Sequence, residues 1–553
     1  MPTIELSHSD LCSLMGTVVS VKDLEENVIM YAKGEVEEID GDNLKIDIKD
    51  TNRPDLWSAE GIAREIKFRL SPGKLPKYKM KKSGRKILVS KEMKNIRPLI
   101  AAAIVKDIVI TEELLLQMIH LQDKVDETFG RKRKEVAIGI YDYDKVKGDI
   151  EYRAADPNKV KFVPLEFKKE LSLKEILNQH PKGKAYAHLI RKYPKYPLLA
   201  DSEGDILSMP PVINSNYSGK VEETTKNLMI EVTGYSEKYV STAISVLAAA
   251  LSDRGGKPES VEIVYPDRKV TTPNMKPKSI SIDIELIRKI SGLDLTNNEI
   301  YDLLKKSGYG IKSKSKKTKL LYPAYRQDVM HPIDVVEDVI ISYGYGNVEV
   351  KVPEIATTGK ADETEVFSKR IAEVMVGLGM QEILSYTLTN KNDLFGKMNK
   401  KEEPIAEIEN IVSSNWSVFR NWLLPSVLEF LLQNKHIEYP QEVFEIGDCV
   451  VLDNFQPTKT RNVRKLAGAI TNSTVNYEQI ASYVDALISA IGIKYKLRKT
   501  NHPSFVNGRC AEIFVENKSI GFVGEISPKV LNKWGLEKPV TAFEVDLENL
   551  KPI

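Results

Sequence analysis

Two proline- and lysine-bearing breaks constrain this chain most. SPGKLPKY at 71–78 ends a helix-patterned run, and TTPNMKPKS at 271–279 separates a long mixed segment from a short one. Proline fixes φ and removes a backbone donor, so neither stretch continues a helix or a central strand. A chain of 553 residues cut in this way is a string of domains, each burying its own core.

The pieces between the breaks mix both periodicities. Before the first, TNRPDLWSAEGIAREIKFRL carries Ile62, Ile66 and Leu70 at helical spacing, with Asn52 or Asp55 as cap. Between the breaks, ILVSKEM, LIAAAIVKDIVI and VAIGIYDYD read as strands and EELLLQMIHLQDKVDETF as an amphipathic helix. NLMIEVTG alternates, with Leu228, Ile230 and Val232 on one face and Met229, Glu231 and Thr233 on the other. SEKYVSTAISVLAAALSDRGG then reads as a helix capped at Ser236 and stopped at Gly255. After the second break, SISIDIELI reads as a strand. LTNNEIYDLLKKSGYGI reads as a helix capped at Thr296 or Asn297 and stopped at Gly308. From about 353, three helical patterns alternate with the strands EVFEIGDCVVL, RKLAGAIT, AEIFVENKSIGFVGEI and TAFEVDL. The expectation is a multidomain α+β protein with segments 1–84, 85–272, 273–351 and 353–553, the last built on an antiparallel sheet.

Several function classes drop out. No apolar run approaches the roughly 18 residues of a membrane span. MPTIELSHSD lacks the basic flank and apolar core of a signal peptide. Cys12, Cys449 and Cys510 are odd in number and form no CxxC pair, which argues against a disulfide framework or zinc and fits a reducing cytoplasm. The seven histidines are scattered without metal-ligand spacing. With a net charge of +2, nucleic-acid contact has to come from local clusters such as those at 74–86, 130–134 and 312–319. Lysine-rich stretches of this kind also occur as solvated linkers.

YPAYRQDVMHPIDVVEDVIISYGYG, at 322–346, places Asp328, Asp334, Glu337 and Asp338 within eleven residues. His331-Pro332 suits a helix start. The helix turns Val335, Val336, Val339, Ile340 and Tyr343 inward, and Asp334, Glu337 and Asp338, at i, i+3 and i+4, share the other face. Two readings stand. Acids near a helix N-terminus are favoured by its dipole. Alternatively, hard oxygen donors without histidine or sulfur suit Mg²⁺.

This stretch resembles the B5 domain of the phenylalanyl-tRNA synthetase β-subunit family. TNRPDLWSAEGIAREI is similar to that family's N-terminal signature. FGRKRKEVAIGIYDYD, YPLLADSEGDILSMPPVINSNYSG and NLMIEVTG resemble its B3/B4 editing domain in the archaeal and eukaryotic form. VFRNWLLPSVLEFLLQNK, VFEIGDCVVL and SFVNGRCAEIFV resemble its C-terminal synthetase-like domain. The resemblance runs in order over essentially the whole chain.

It implies Asp328, Asp334, Glu337 and Asp338 as Mg²⁺ ligands. It also implies an editing pocket formed by Leu199, Ser208, Asn214 and Glu231, where Glu231 reads the hydroxyl of a misattached tyrosine. No histidine base lies beside Ser208 in sequence, so Ser208 is not assigned as a nucleophile. The last domain resembles a class II synthetase core that lacks its catalytic motifs. No arginine follows Arg509, and Trp422 stands two residues after Arg420, where a working core keeps an acid. The implied assembly is an (αβ)₂ tetramer in the cytoplasm. In it the α subunit binds ATP and phenylalanine, while this chain positions tRNA(Phe) and hydrolyses Tyr-tRNA(Phe). Two alternatives are a tRNA-binding and assembly subunit whose editing site has decayed, and a free-standing deacylase of mischarged tRNA.

Overall fold

The computed structural model describes residues 2–550 except 72, 74 and 316. The break at 71–78 and the lysine run at 312–319 therefore lie partly outside the described residues. The chain divides into two compact units, Met1–Val352 and Pro353–Ile553.

In the first unit, strands Thr3–Ser7, Asn43–Ile48 and Gly34–Asp40 form an antiparallel sheet with the Asn43–Ile48 strand in the middle. Helix Ala59–Leu70 packs near it, burying Ile62 and Ile66 while Leu70 stays exposed. Neither expected residue caps this helix. Ser58 does, accepting from the Gly61 amide, while Asp55 is held by Arg53. The next strand, Lys81–Val89, already belongs to the large central sheet, so the chain enters that sheet before position 84.

The central sheet has ten strands. Its order is Ile213–Asn214, Ile206–Met209, Tyr196–Asp201, Ile150–Ala155, Lys81–Val89, Lys257–Val264, Leu99–Lys106, Leu228–Gly234 and Val136–Asp142, with Lys269–Thr272 beside Lys257–Val264. Lys81–Val89 runs parallel to both its neighbours and every other pair is antiparallel, so the sheet is mixed. All seven residues of Leu228–Gly234 are buried. Leu228, Ile230 and Val232 pack with helix Glu237–Asp253, which carries Val240, Ile244 and Leu247. Met229 packs on the opposite face with Tyr141, Tyr152 and Leu199. The alternation thus separates two cores rather than a core from solvent.

After Thr272 a smaller layer forms from strands Lys278–Asp283, Lys317–Tyr322 and Gly310–Ser313 with helices Ile284–Ser291, Asn297–Lys306 and Pro332–Tyr343. The sequence expectation of one strand through SISIDIELI fails here. The strand ends at Asp283, whose carboxylate accepts from the Glu285 amide and starts a helix that stops at left-handed Gly292. Thr296 caps the following helix as expected, with Glu299 reaching back to the Thr296 amide.

The second unit is a seven-stranded sheet ordered Gln381–Glu382, Gln441–Leu452, Thr460–Thr471, Val540–Asp546, Lys518–Ile526, Phe505–Val515 and Tyr495–Lys499. Only the first pair is parallel. Helices Leu424–Gln433 and Pro528–Trp534 contribute to one buried cluster, and helices Glu363–Gly377 and Tyr477–Ile491 to another.

Candidate functional site

The acidic cluster does not have the arrangement its sequence spacing suggests. Helix Pro332–Tyr343 begins where expected, yet its three acids do not share a solvent face. Asp334 reaches back to accept from the Met330 and His331 amides, at 2.7 and 2.6 Å, and so finishes the helix N-terminus. Glu337 is exposed and pairs with Lys33 at 3.0 Å. Asp338 is 1% exposed, accepts from the Tyr309 hydroxyl at 2.7 Å, and lies 2.8 Å from Arg326 and 3.9 Å from Arg69. Asp328 pairs with Arg326 and lies 3.6 Å from Arg53. Burial raises the Asp328 carboxyl, but Arg326 and Arg53 outweigh it and hold it far below the usual range. Glu65 likewise falls to about 2, because Arg53 and Arg69 overcome its burial.

Three arginines and four buried carboxylates (Asp55, Glu65, Asp328 and Asp338) therefore make one ion-pair network across helices Ala59–Leu70 and Pro332–Tyr343. Guanidinium groups stand where a cation would. Among the described residues no three His, Cys, Asp or Glu side chains are gathered to hold a metal. The set Asp328, Asp334, Glu337 and Asp338 as placed does not fit a Mg²⁺ ion. Asp328 and Asp338 face arginines, one Asp334 oxygen takes the backbone amides and one Glu337 oxygen takes Lys33.

The second acidic site is different. Leu199, Ser208 and Asn214 stand directly opposite one another across three adjacent antiparallel strands. The sheet curls so that its two end strands meet. Asn214 donates to the Ile140 carbonyl at 3.3 Å, and the Tyr141 hydroxyl lies 2.8 Å from Ser208 Oγ. Glu231, on the neighbouring strand, is opposite Gly139 on one side and Ala102 on the other. Its Oε1 lies 3.1 Å from the same Tyr141 hydroxyl, and its Oε2 has no partner although the residue is 2% exposed. Burial pushes the Glu231 carboxyl up to about 8, against the opposing effects of the Tyr141 bond and Arg97. Tyr141 is raised well above the ordinary phenol value by burial and by Glu231.

Glu231 and Asn214 line a pocket of about 330 Å³ together with Ile138, Val212, Arg133 and Lys182. Arg133 forms one wall. It lies 3.1 Å from buried Asp126 and donates to the Pro211 and Val212 carbonyls. Arg131, Lys132 and Arg133 all adopt left-handed backbone, at φ 49°, 55° and 62°, a costly run for residues with side chains. Ser208 and Leu199 lie behind the lining rather than in it: Ser208 reaches Glu231 through Tyr141, and Leu199 is in the core. The Ser208 hydroxyl is bonded to a phenol, which is no base for a nucleophile at neutral pH.

Sequence reasoning missed Tyr141, Gly139 and Arg133. The strand VAIGIYDYD was legible, and Gly139 and Tyr141 lie on one face of it by alternation. Their position beside Glu231 comes from strand pairing that no spacing reveals.

In the second unit, the Arg420 guanidinium is spent on internal partners: Glu445 at 2.9 Å, the Asp448 carbonyl at 3.0 Å and the Ser385 hydroxyl at 2.7 Å.

Comparison with known proteins decides the family. Three family models match in order: the B3/4 domain over residues 124–265, the tRNA synthetase B5 domain over 280–345, and the phenylalanyl tRNA synthetase beta chain CLM domain over 348–547. The phenylalanine–tRNA ligase beta subunit of Pyrococcus abyssi is 47% identical over the full length of both chains. That of Archaeoglobus fulgidus is 37% identical over 99% of this chain and 98% of its own. This chain belongs to the phenylalanine–tRNA ligase β-subunit family. An N-terminal fragment of the phenylalanyl-tRNA synthetase beta-subunit from Pyrococcus horikoshii, at 47% identity, superposes with a TM-score of 0.61 and covers 62% of this chain and all of its own. Among the described residues of this family member, no helix is long and apolar enough to cross a membrane.

Proposed function

We propose that this chain is the β subunit of a phenylalanine–tRNA ligase and that its Glu231 pocket hydrolyses Tyr-tRNA(Phe). The observation that carries the hydrolytic reading is the buried Glu231 carboxylate, with one oxygen unpartnered, at a pocket sized for an amino-acid side chain. An aryl hydroxyl satisfies that oxygen, whereas a phenylalanine ring leaves it unpaired. A site built around a buried polar group rejects the analogue lacking its partner far better than an apolar pocket rejects an added hydroxyl. Lys182 on the pocket wall supplies positive charge for the tRNA end that brings the aminoacyl group in, while Arg133, paired with Asp126, shapes the wall. Leu199, Ser208 and Asn214 complete the site, Asn214 at the lining and the other two behind it. Water is the nucleophile, since the Ser208 hydroxyl has no base.

The partner is an α subunit, in an (αβ)₂ tetramer, which binds ATP and phenylalanine and charges tRNA(Phe) in the cytoplasm. Mg²⁺ enters this reading with ATP on the α subunit. The synthetase-like unit of this chain is non-catalytic, in keeping with an Arg420 committed to Glu445. Leu384, Tyr386 and Val412 stand exposed on that unit as apolar surface for a partner. The division into segments 1–84, 85–272, 273–351 and 353–553 belongs to the same reading, with its first boundary falling inside strand Lys81–Val89.

The test is tyrosine release from Tyr-tRNA(Phe) by the α/β complex, native and Glu231→Ala. The expected result is fast native release that the substitution slows by about a hundredfold or more. Equally slow release in both would leave an assembly and tRNA-positioning subunit.

A further inference from the structure

The Glu231 carboxylate is held on one side only. Its strand neighbours, Gly139 and Ala102, are the two smallest residues, and the room they leave is taken on one side by the Tyr141 hydroxyl. A Cβ at position 139 would lie 2.3 Å from that hydroxyl and 2.7 Å from Glu231 Oε1, so the pairing depends on glycine there. Tyr141 is fully buried, and its hydroxyl also meets Ser208. A phenol has one proton, so it donates to one neighbour at a time. The Tyr141 hydroxyl is placed to donate to Ser208 Oγ at 2.8 Å and to Glu231 Oε1 at 3.1 Å, and an ionised Glu231 draws that one proton to Oε1. Oε2 is then left over.

We propose that Tyr141 is the positioning residue that sets tyrosine specificity: by anchoring Oε1, with Ser208 behind it, it presents Oε2 as the single acceptor for the aryl hydroxyl of the aminoacyl group. This inference rests on the editing reading of the pocket. It gives Ser208 a role that needs no nucleophile: it backs the phenol that orients the acid. A glutamate without the anchor is free to rotate about its last torsion and offers no fixed acceptor. The charged and titratable groups around Glu231 are Tyr141 on the adjacent strand, Arg97, Asp126 and Tyr152, with Asp123, Arg133, Glu166 and Lys182 on the walls of the same pocket.

The experiment uses the α/β complex with Tyr141→Phe, which removes one oxygen, and Ser208→Ala, a milder change to the same chain of bonds. Deacylation of Tyr-tRNA(Phe) and Phe-tRNA(Phe) is measured across pH 5–9, beside binding of the non-hydrolysable 3′-tyrosylamino- and 3′-phenylalanylamino-adenosines. Tyr141→Phe is expected to cut the preference for the tyrosyl over the phenylalanyl group about tenfold, chiefly through KM. It is also expected to move the acid limb of the tyrosyl kcat/KM profile to higher pH, because a bond favouring the carboxylate form is gone. Ser208→Ala shifts both in the same direction by less. A loss of packing alone would move neither the preference nor the limb. Native preference and limb in both variants, with Glu231→Ala defective, would overturn the inference and leave the editing reading standing. A native complex that binds the tyrosyl analogue selectively without hydrolysing it, with the selectivity lost in Tyr141→Phe, would support Tyr141 and overturn hydrolysis instead.

Discussion

The buried carboxylates of the first unit occupy two kinds of surroundings. Around Asp328 and Asp338, three arginines answer four acids, and the Asp338 oxygens face Arg326, Arg69 and Tyr309. At Glu231 the nearest hydrogen-bonding group is a neutral phenol, and one oxygen has nothing. The first pattern joins two helices far apart in the chain; the second leaves one carboxyl oxygen without a partner. A dense acidic cluster in sequence is here paired within the fold, whereas a single acid in an apolar strand keeps an unpaired oxygen. Charges that find each other inside the fold are spent on the fold.

The comparison breaks first at Arg326. Replacing it with Met keeps the volume and strands Asp328 and Asp338 without their shared cation. Breaking a buried pair from one side costs about 3–5 kcal/mol. Arg326→Met is therefore expected to lower the denaturation midpoint strongly while leaving the geometry around Glu231 alone. A midpoint close to native would mean the network is not what joins these helices.

The next largest effect is at Gly139. A methyl there overlaps both the Tyr141 hydroxyl and Glu231 Oε1. Overpacking of this kind costs about 1–3 kcal/mol. Gly139→Ala is expected to lose tyrosine selectivity together with that stability, measured by deacylation and by thermal unfolding of the same preparation. Full selectivity in a well-folded Gly139→Ala protein would show that the phenol and the carboxylate need not touch.

How far the sequence foretold these two sites follows from their geometry. The helix after His331 and the alternation through Leu228–Gly234 were both legible, because periodicity is local. The partners were not. Arg69 lies 269 residues from Asp338, and no spacing rule connects them. For Glu231, alternation gave the face it shares with Met229 and Thr233. It could not show that this face is buried, since a strand covered on both sides alternates between two cores. The strand read through SISIDIELI failed for a local reason. Ile284 and Ile287 continue the apolar pattern, and only the cap at Asp283 marks the switch of period.

The two sites also respond to pH with opposite signs. Asp328 and Glu65 have folded values below their ordinary 3.8 and 4.5, so their contribution to stability is present above those values and is lost as pH falls below about 4 toward about 2. Glu231 has a folded value of about 8 against an ordinary 4.5. Its contribution is complete below about 4.5 and is lost as pH rises through about 8. Glu231→Gln, neutral at every pH, is expected to match native stability near pH 5 and to exceed it increasingly toward pH 8. Parallel melting curves for the two proteins over that range would mean the carboxylate is ionised throughout and that burial does not govern it.

The smallest expected effect sharpens the contrast within the acidic cluster itself. Glu337 is exposed and pairs with Lys33 at 3.0 Å, an arrangement worth about 0–1 kcal/mol. Glu337→Gln is expected to shift the melting midpoint barely at all, and dialysis against EDTA to shift it no more. A bound Mg²⁺ would give the opposite result. An ion that binds only the folded state stabilises it in proportion to the logarithm of its concentration over its Kd, so its removal would lower the midpoint and added Mg²⁺ would restore it. That outcome would require the arginines to release Asp328 and Asp338 to the metal. Because Arg326 contacts both carboxylates, Arg326→Met would then change the Mg²⁺ response as well as the stability, and the two measurements together separate an ion-pair network from a metal site.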